Sequence, residues 1–487
     1  MNFVILQSSQ VTTTTKDHVS NIIIMGVNMA QLPVKAHYFF FMAAMGPILP
    51  FLPVYGKQLG VTPDVMGMIT GVLPILYFIA KPIVGFILDY FHNQRKLIFI
   101  GIIIGSSLSF SLLYFTPNNL HNESHDNKYD NDVKNITVSF ANDSANLYTS
   151  LPFWLFVVLM SIGSIGFNVS NSMSDAICFD VLGEGQSMGY GRQRVWGTIG
   201  FGVTAAISGY LIDALSNNKS NVSYTPSFIL CIIFTIFDSI CCTKLELPII
   251  NKSENITKDV LKLLKRKTIL IFLIFAVIVG IMDSFIAYFL FWYVEDLGVL
   301  TKTIDIKLIE GLIIAAETLG GEVIFFLFSG KILKTFGYGY SMTFCFFCYA
   351  LRFLLISIAT NPWWIVLVEL IMQGPTYALC YTIIVGFASV IAPPGTSSTV
   401  QGIFGGMDDG FGFAVGSCIG GFLFRKIGGQ RTFRILSILA AITGVAFFIV
   451  YQTILKAKMP KTNTKNDKEL VDIVYNNPKD AIDSCHD

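Results

Sequence analysis

Residues 268–292 read TILIFLIFAVIVGIMDSFIAYFLFW, and Asp283 is the single charged residue among them. A transmembrane helix needs about 20 mostly apolar residues to cross the hydrocarbon core of a bilayer. Only a helix can bury so long an apolar run in lipid without a partner, because it satisfies its own backbone hydrogen bonds. The stretch therefore predicts a membrane-spanning helix.

The same apolar character recurs along most of the chain. We predict twelve spans, at residues 34–55, 65–88, 97–116, 151–176, 197–215, 227–243, 268–292, 309–329, 340–360, 363–387, 402–424 and 434–455. The composition agrees, since 53% of the residues are hydrophobic and only 13% are charged, whereas a soluble domain has about 25% charged residues. The sequence thus predicts an all-α, multi-pass membrane protein, and its net charge of +1 suggests no nucleic-acid partner.

The connecting segments predict an orientation. Lys and Arg are concentrated in the segments that are cytosolic if both termini are cytosolic. In that topology the polar loop 117–150 and the short loop near 216–225 face the other side, where glycan acceptors must lie. These loops hold the candidate glycosylation sites Asn122, Asn135, Asn142, Asn218 and Asn221. The sequence leaves open whether the membrane is the plasma membrane or an endomembrane.

An internal repeat predicts two halves. GFILDYF at 85–91 ends the second span, and GKILKTF at 330–336 ends the eighth, six spans later. Two parallel repeats of six spans place a substrate site between them near mid-membrane. The predicted organisation is a cytosolic tail (1–33), a six-helix bundle (34–243), a cytosolic linker (244–267), a second six-helix bundle (268–455) and a second cytosolic tail (456–487).

Charged residues inside spans are candidates for function, because each costs several kcal/mol unless it meets a partner or water. Arg352 cannot shed its proton, so at this depth it requires a carboxylate or a hydrated cavity. Asp283 and Glu317, in nearby spans, are the candidate partners. The three residues fit either a proton-coupling site or a static ion pair that locks two helices.

Two further charged residues have open roles. Lys81 precedes Pro82, and its ammonium either snorkels to the lipid headgroups or faces the cavity as a partner for substrate or carboxylate. Glu369 follows the Trp363–Trp364 pair, which is typical of a membrane interface. We therefore expect Glu369 at the mouth of a cavity.

Other functional classes find no support in the sequence motifs. The chain has neither an HExxH motif nor a Walker motif. The glycine-containing loop 183–194 connects two spans, so we interpret Arg192 and Arg194 as cytosolic anchors of the topology. The sequence predicts no enzyme, no cofactor and no metal site.

The loop after the second predicted span resembles a family signature. Gly85-Phe-Ile-Leu-Asp89 followed by Arg95 and Lys96 is similar to the signature of the major facilitator superfamily, although Tyr90 stands where a basic residue is usual. The resemblance implies that Asp89, Arg95 and Lys96 form a charge relay that gates the inward-open state. It also implies the major facilitator fold, with two pseudo-symmetric bundles.

Longer stretches resemble the animal "major facilitator superfamily domain-containing protein six" group, in a branch similar to lactose permease. They are 32–60, 81–89, 191–202, 315–332 and 392–406. The resemblance implies solute transport, with a proton as candidate coupling ion, and it supplies no substrate. The leading hypothesis is a monomeric secondary transporter of a small polar organic solute. The alternative hypothesis is a receptor or scaffold that does not transport and binds partners through the loop 117–150.

Overall fold

The computed structural model describes residues 31–52, 55–56, 63–116, 150–183, 189–216, 223–247, 255–303, 306–457 and 459. All regular secondary structure within these ranges is helical. The helices of the first half are α1 (Leu32–Met45), α2 (Pro63–Tyr90), α3 (Arg95–Leu112), α4 (Leu151–Leu182), α5 (Tyr190–Ser216) and α6 (Thr225–Thr243).

The second half follows a short linker helix. The helices are α7 (Ile256–Leu264), α8 (Lys267–Thr301), α9 (Ile306–Ala315), α10 (Val323–Ser357), α11 (Pro362–Gln373), α12 (Leu379–Ile391), α13 (Ser397–Gly405), α14 (Phe413–Ile427) and α15 (Gly429–Val450). Wider π-helical turns join α9 to α10, α11 to α12 and α13 to α14, at Ala316–Glu322, Gly374–Ala378 and Gly406–Gly412. Each joined pair therefore forms one continuous rod.

The helices in the described ranges provide twelve segments that are each long enough to cross a bilayer. Ten stretches satisfy a criterion of length and apolarity, and one of them, Leu308–Ser357, is 50 residues long. At 1.5 Å per residue it would measure about 75 Å, more than twice the hydrocarbon thickness. It breaks at Gly337, whose φ of 73° and ψ of 172° end the helix, so it makes two crossings. The rod Ser397–Ile427, which contains four charged residues, is the twelfth.

The structure confirms the predicted all-α fold and extends several helices beyond the apolar runs. α4 continues to Leu182, past the predicted end at 176, and α5 begins at Tyr190 rather than at 197. Hydropathy marks where lipid contact ends, but a helix continues until its backbone hydrogen bonds stop. The polar ends of these helices therefore contain residues that lie outside the predicted spans.

The helices pack into two bundles that meet along a shared interface. α1 packs against α5 and α6, and α10 packs against α15. Between the bundles, α2 and α4 contact α13, while α5 contacts α10. We use "inner end" for the end of the bundles that the predicted topology places at the cytosol. It holds the C-terminal ends of α2 and α4 and the N-terminal ends of α3, α5 and α13.

The linker helix α7 lies against the second bundle with one apolar face. Ile256, Val260 and Leu263 are buried, and their spacing of three and four residues places them on one side of the helix. Asn255 begins the helix, and its side chain accepts a hydrogen bond from the backbone N–H of Lys258 at 3.3 Å.

Close helix contact in the second bundle depends on Gly280. A Cβ atom at this position of α8 would overlap the backbone carbonyl of Asp408. We expect Gly280→Ala to destabilise the protein by about 1–3 kcal/mol, the usual cost of overpacking. The measurement is the thermal unfolding midpoint of the purified protein in detergent. Gly101→Ala is the matched control, since a Cβ there meets nothing within 4 Å. An equal midpoint in both variants would contradict the expectation.

Candidate functional site

Arg352 lies on α10 and is completely buried. Its guanidinium makes two hydrogen bonds to Glu369, one of them from Nε at 3.2 Å. It also donates to the Gln373 side-chain oxygen at 2.6 Å and to Thr376 Oγ1 at 2.7 Å. Glu369, Gln373 and Thr376 share one helical face, because they are four and three residues apart. The rod Pro362–Ala378 thus supplies a complete polar lining for one buried cation.

The two carboxylates predicted to pair with Arg352 take different positions. Glu317 Oε1 is 3.7 Å from Arg352 Nη2, so it joins the cluster as a second, looser partner. Asp283 instead accepts a hydrogen bond from Tyr349 at 2.6 Å. Glu369, which we expected at a cavity mouth, is fully buried and is the main partner of Arg352. Depth along a span does not reveal which way a side chain points, and that direction decides the pairing.

Glu322 connects this cluster to the first bundle. One of its oxygens accepts from Gln373 at 3.1 Å, and the other accepts from Thr198 on α5 at 3.1 Å. A polar path therefore runs from Arg352 through Gln373 and Glu322 to Thr198, and it crosses the interface between the bundles.

Lys81 and Asp409 form an ion pair across the same interface. Lys81 on α2 is fully buried, and its ammonium hydrogen-bonds both carboxylate oxygens of Asp409. The side chain of Asp409 is 24% exposed. Of the two interpretations of Lys81, the geometry matches the carboxylate partner rather than the headgroup position. The neighbouring Asp408 is buried, and its backbone lies against Gly280.

Asp175 is a polar centre near the inner end, at a position that the sequence analysis did not select as a site residue. It accepts hydrogen bonds from Tyr38 at 2.7 Å, from Tyr190 at 2.8 Å and from Tyr381 at 2.5 Å. Tyr381 belongs to the second bundle and the other two tyrosines to the first. The carboxylate therefore joins both bundles.

Arg194 lies beside this centre and is not the cytosolic anchor that we expected. Its guanidinium lies over the rings of Tyr38 and Tyr381, 5.4 Å from each centroid, and donates to Asn171 at 2.7 Å. Arg192, two residues earlier, is exposed as expected. The two arginines lie on opposite faces because successive helix residues turn by about 100°. A helical interpretation of residues 190–196 would have separated them.

The family-signature residues lie at the inner end. Asp89 accepts hydrogen bonds from the backbone N–H groups of Ser398 and Thr399 at 3.1 and 2.6 Å, and from Thr399 Oγ1 at 2.7 Å. A carboxylate in this position caps α13 and meets the positive end of its dipole. Gly85 makes the approach possible, since a Cβ there would overlap the carbonyl of Ser398.

The two basic residues of the signature have separate partners. Arg95 donates to Asp180 at 2.5 Å and to Ser398 Oγ at 2.8 Å, so it also reaches the second bundle. Lys96 instead donates to the backbone carbonyls of Thr243 and Leu245 in its own bundle. Asp89 and Arg95 thus join the bundles at the inner end, and Lys96 does not. The five candidate glycosylation sites lie outside the described residues.

Comparison with known proteins agrees with this architecture. A sequence profile of the "MFS_1 like family" matches residues 32–435. The "Major facilitator superfamily domain-containing protein 6-like" of Danio rerio is 24% identical over 284 residues, which are 57% of this chain and 49% of that protein. The "6-like protein B" of Xenopus laevis is 25% identical over 194 residues, which are 40% of this chain and 30% of that protein. The chain thus matches half or less of the length of these curated relatives.

Solved structures share the fold at low identity. The human organic anion transporter MFSD10 (TETRAN) superposes with a TM-score of 0.61 at 16% identity, over 85% of this chain and 98% of that one. A point mutant of the nucleoside transporter NupG gives a TM-score of 0.56 at 18% identity, over 86% of this chain and all of that one.

The fold and the comparisons together define an integral, multi-pass membrane protein with the major facilitator fold. The chain belongs to the MFS_1-like family. This family and fold are those of membrane transporters rather than of enzymes.

Proposed function

We propose that the chain is a secondary active transporter that moves a small polar organic solute by alternating access. The observation that carries the proposal is a set of charged side chains buried where the two bundles meet, with the Lys81–Asp409 ion pair at its centre. Charges inside a membrane protein usually mark a pathway or a relay, because burying them in lipid is costly. The interface between repeats is also where secondary transporters bind their solutes.

Glu317 and Asp409 are the residues we propose to meet the solute. Their side chains are 18% and 24% exposed, whereas the partner cations Arg352 and Lys81 are completely buried. In each ion pair the carboxylate is therefore more accessible to a solute than the cation is. The two similar solved structures are of an organic anion transporter and a nucleoside transporter, and organic anions and nucleosides are small organic molecules with polar groups.

The contacts at the inner end support a gate in the proposed mechanism. Asp89 and Arg95 hold the bundles together through hydrogen bonds to the first turn of α13. Water can replace such bonds when the bundles separate, so this end can open and close. In this mechanism both termini lie in the cytosol, and the monomer is the working unit.

A proton is the coupling ion that we propose. Arg352 is shared by two carboxylates, Glu369 and Glu317. One guanidinium balances one carboxylate, so the second carries an excess negative charge that a proton can neutralise. Glu317 is the looser and more exposed of the two, so we assign the proton to it. The alternative receptor hypothesis depends on the loop 117–150, nearly all of which lies outside the described residues.

Glu317→Gln tests the coupling. We expect this variant to lose uptake driven by an imposed pH gradient while it retains exchange of the same solute across the membrane. The assay uses proteoliposomes and radiolabelled uridine, lactose, choline and lactate as probes, beginning with the probe that wild type accumulates. Asp296→Asn, at an exposed position of α8, is the control and should behave as wild type. Unchanged gradient-driven uptake by Glu317→Gln would remove Glu317 from the mechanism.

A further inference from the structure

Three potential metal ligands converge near the inner end of the first bundle, away from the interface. His37 lies on α1, and Asp238 and Cys242 lie one turn apart on α6. His37 Nδ1 is 2.7 Å from Asp238 Oδ1 and 3.3 Å from Cys242 Sγ, while Cys242 Sγ is 3.7 Å from Asp238 Oδ1. All three residues are at most 1% exposed. They form the one His, Cys and carboxylate group with metal-ligand spacing found in the described ranges.

These separations are close to those within a tetrahedral zinc site. Bonds of about 2.0–2.3 Å to nitrogen, oxygen and sulfur place the ligand atoms about 3.3–3.7 Å from one another. The two contacts of Cys242 already have this spacing. The contact between His37 and Asp238 must lengthen by about 0.6 Å to fit the same geometry.

A second observation also points to a ligand. Asp238 Oδ2 is buried and has no hydrogen-bond partner in the described part of the chain. A buried carboxylate oxygen without a partner costs about 1–3 kcal/mol or more, so it requires an explanation. A metal ion bound by Asp238 supplies one, because it would interact with both carboxylate oxygens.

The outer contacts of His37 suit a metal ligand. Its second nitrogen, Nε2, lies 2.8 Å from Ser174 Oγ on α4. Metal-binding histidines are usually held by such a hydrogen bond, which fixes the ring orientation. The rings of Phe41 and Phe99 pack against His37, with centroid distances of 5.6 and 5.3 Å. The imidazole is thus held in one position inside an apolar shell.

Charge balance favours a divalent ion. A Cys242 thiolate and an Asp238 carboxylate carry two negative charges, which a divalent cation neutralises inside the membrane. The neighbouring Lys96 is bound to the carbonyls of Thr243 and Leu245. The thiolate and imidazole favour a borderline ion such as Zn²⁺, whereas Mg²⁺ and Ca²⁺ prefer sites made of oxygen atoms.

We propose that His37, Asp238 and Cys242 form a Zn²⁺ site that fastens α1 to α6 within the first bundle. The site is separate from the ion pairs assigned to transport, and binding needs no solute. Its role is to hold the bundle rigid while the two halves move against each other. No motif in the sequence reveals it, because about 200 residues separate His37 from the other two ligands.

The test measures metal bound to the purified full-length protein. After dialysis against Zn²⁺ and removal of free metal, we expect about one Zn²⁺ per chain in wild type by elemental analysis. The amount should fall to about a tenth of that in Cys242→Ser and in His37→Gln. Cys231→Ser is the matched control, because Cys231 is a buried cysteine on the same helix and should leave Zn²⁺ binding unchanged.

A second measurement identifies the ligands independently of folding yield. Co²⁺ added to metal-free wild-type protein should give a sulfur-to-cobalt charge-transfer band, and that band should be absent in monodisperse Cys242→Ser. Wild-type protein with no bound Zn²⁺ would overturn the proposal, as would equal Zn²⁺ content in wild type and Cys242→Ser. The three side chains would then form a hydrogen-bonded group only.

Discussion

Arg352→Gln is expected to destabilise the protein by about 3–5 kcal/mol, the usual cost of removing one partner from a buried ion pair. The substitution leaves Glu369 buried without its cation, together with the oxygens of Gln373 and Thr376 that face the guanidinium. Glu369→Gln should be milder, because Arg352 keeps Glu317 at 3.7 Å as a second carboxylate. The measurement is thermal unfolding of purified variants in detergent, followed by intrinsic fluorescence.

The double variant distinguishes the loss of the ion pair from the cost of leaving one charge buried without a partner. Arg352→Gln with Glu369→Gln removes both charges, so it should be more stable than Arg352→Gln alone. Arg192→Gln, at an exposed position of α5, is the control for loss of an arginine. A wild-type midpoint for Arg352→Gln, or a double variant less stable than that single one, would show that the pair is not what holds α10 to α11.

Asp89→Asn is expected to open the inner end. The amide loses the charge that meets the first turn of α13 and can accept fewer of the three hydrogen bonds. Hydrogen bonds to a charged group contribute about 1.5–3 kcal/mol. A loss of this size shifts the balance between closed and open forms by roughly tenfold to a hundredfold. The proposed gate is therefore expected to depend strongly on this one carboxylate.

A cysteine introduced at a buried position can be used to measure the opening of the inner end. Ser172 on α4 is 4% exposed and packs against Gly405 on α13, so Ser172→Cys lies behind the inner contacts. A membrane-impermeant thiol reagent in inside-out vesicles should label it at least about ten times faster in Asp89→Asn. Lys96→Ala is the matched control, because Lys96 bonds only to carbonyls of its own bundle. Equal labelling of the two variants would rule out the gating role of Asp89.

Much of the fold could be predicted from the distribution of apolar residues along the sequence. The transfer of a span into lipid depends on its apolar surface summed over about 20 residues, and that sum is readable in a sequence. The span predicted at 402–424 lies within the rod Ser397–Ile427, although this rod contains four charged residues and many glycines. Gly337, which turns one long helical run into two crossings, is visible only as a glycine between two apolar stretches.

The candidate site was less predictable, because pairing depends on direction as well as depth. The sequence identifies Arg352 as a buried cation that requires a partner, but it favours Asp283 and Glu317 and places Glu369 at the mouth of a cavity. The packing of α10 against α11 determines that Glu369 is the main partner of Arg352. Asp175 was not selected as a site residue, and Arg194 was interpreted as a cytosolic anchor, for a related reason. They lie at or beyond span ends, where hydropathy suggests water although the helices continue.

The three π-helical turns that join helices in the second bundle give those helices a means of rotating. A π turn holds one residue more than an α-helical turn, and such turns often occur at functional sites. If the extra residue moves along the rod, every side chain that it passes rotates by about 100° about the helix axis. Glu317 and Asp409 lie within two of these turns. Their carboxylates could therefore swing towards or away from the buried cations while the surrounding helices stay in place.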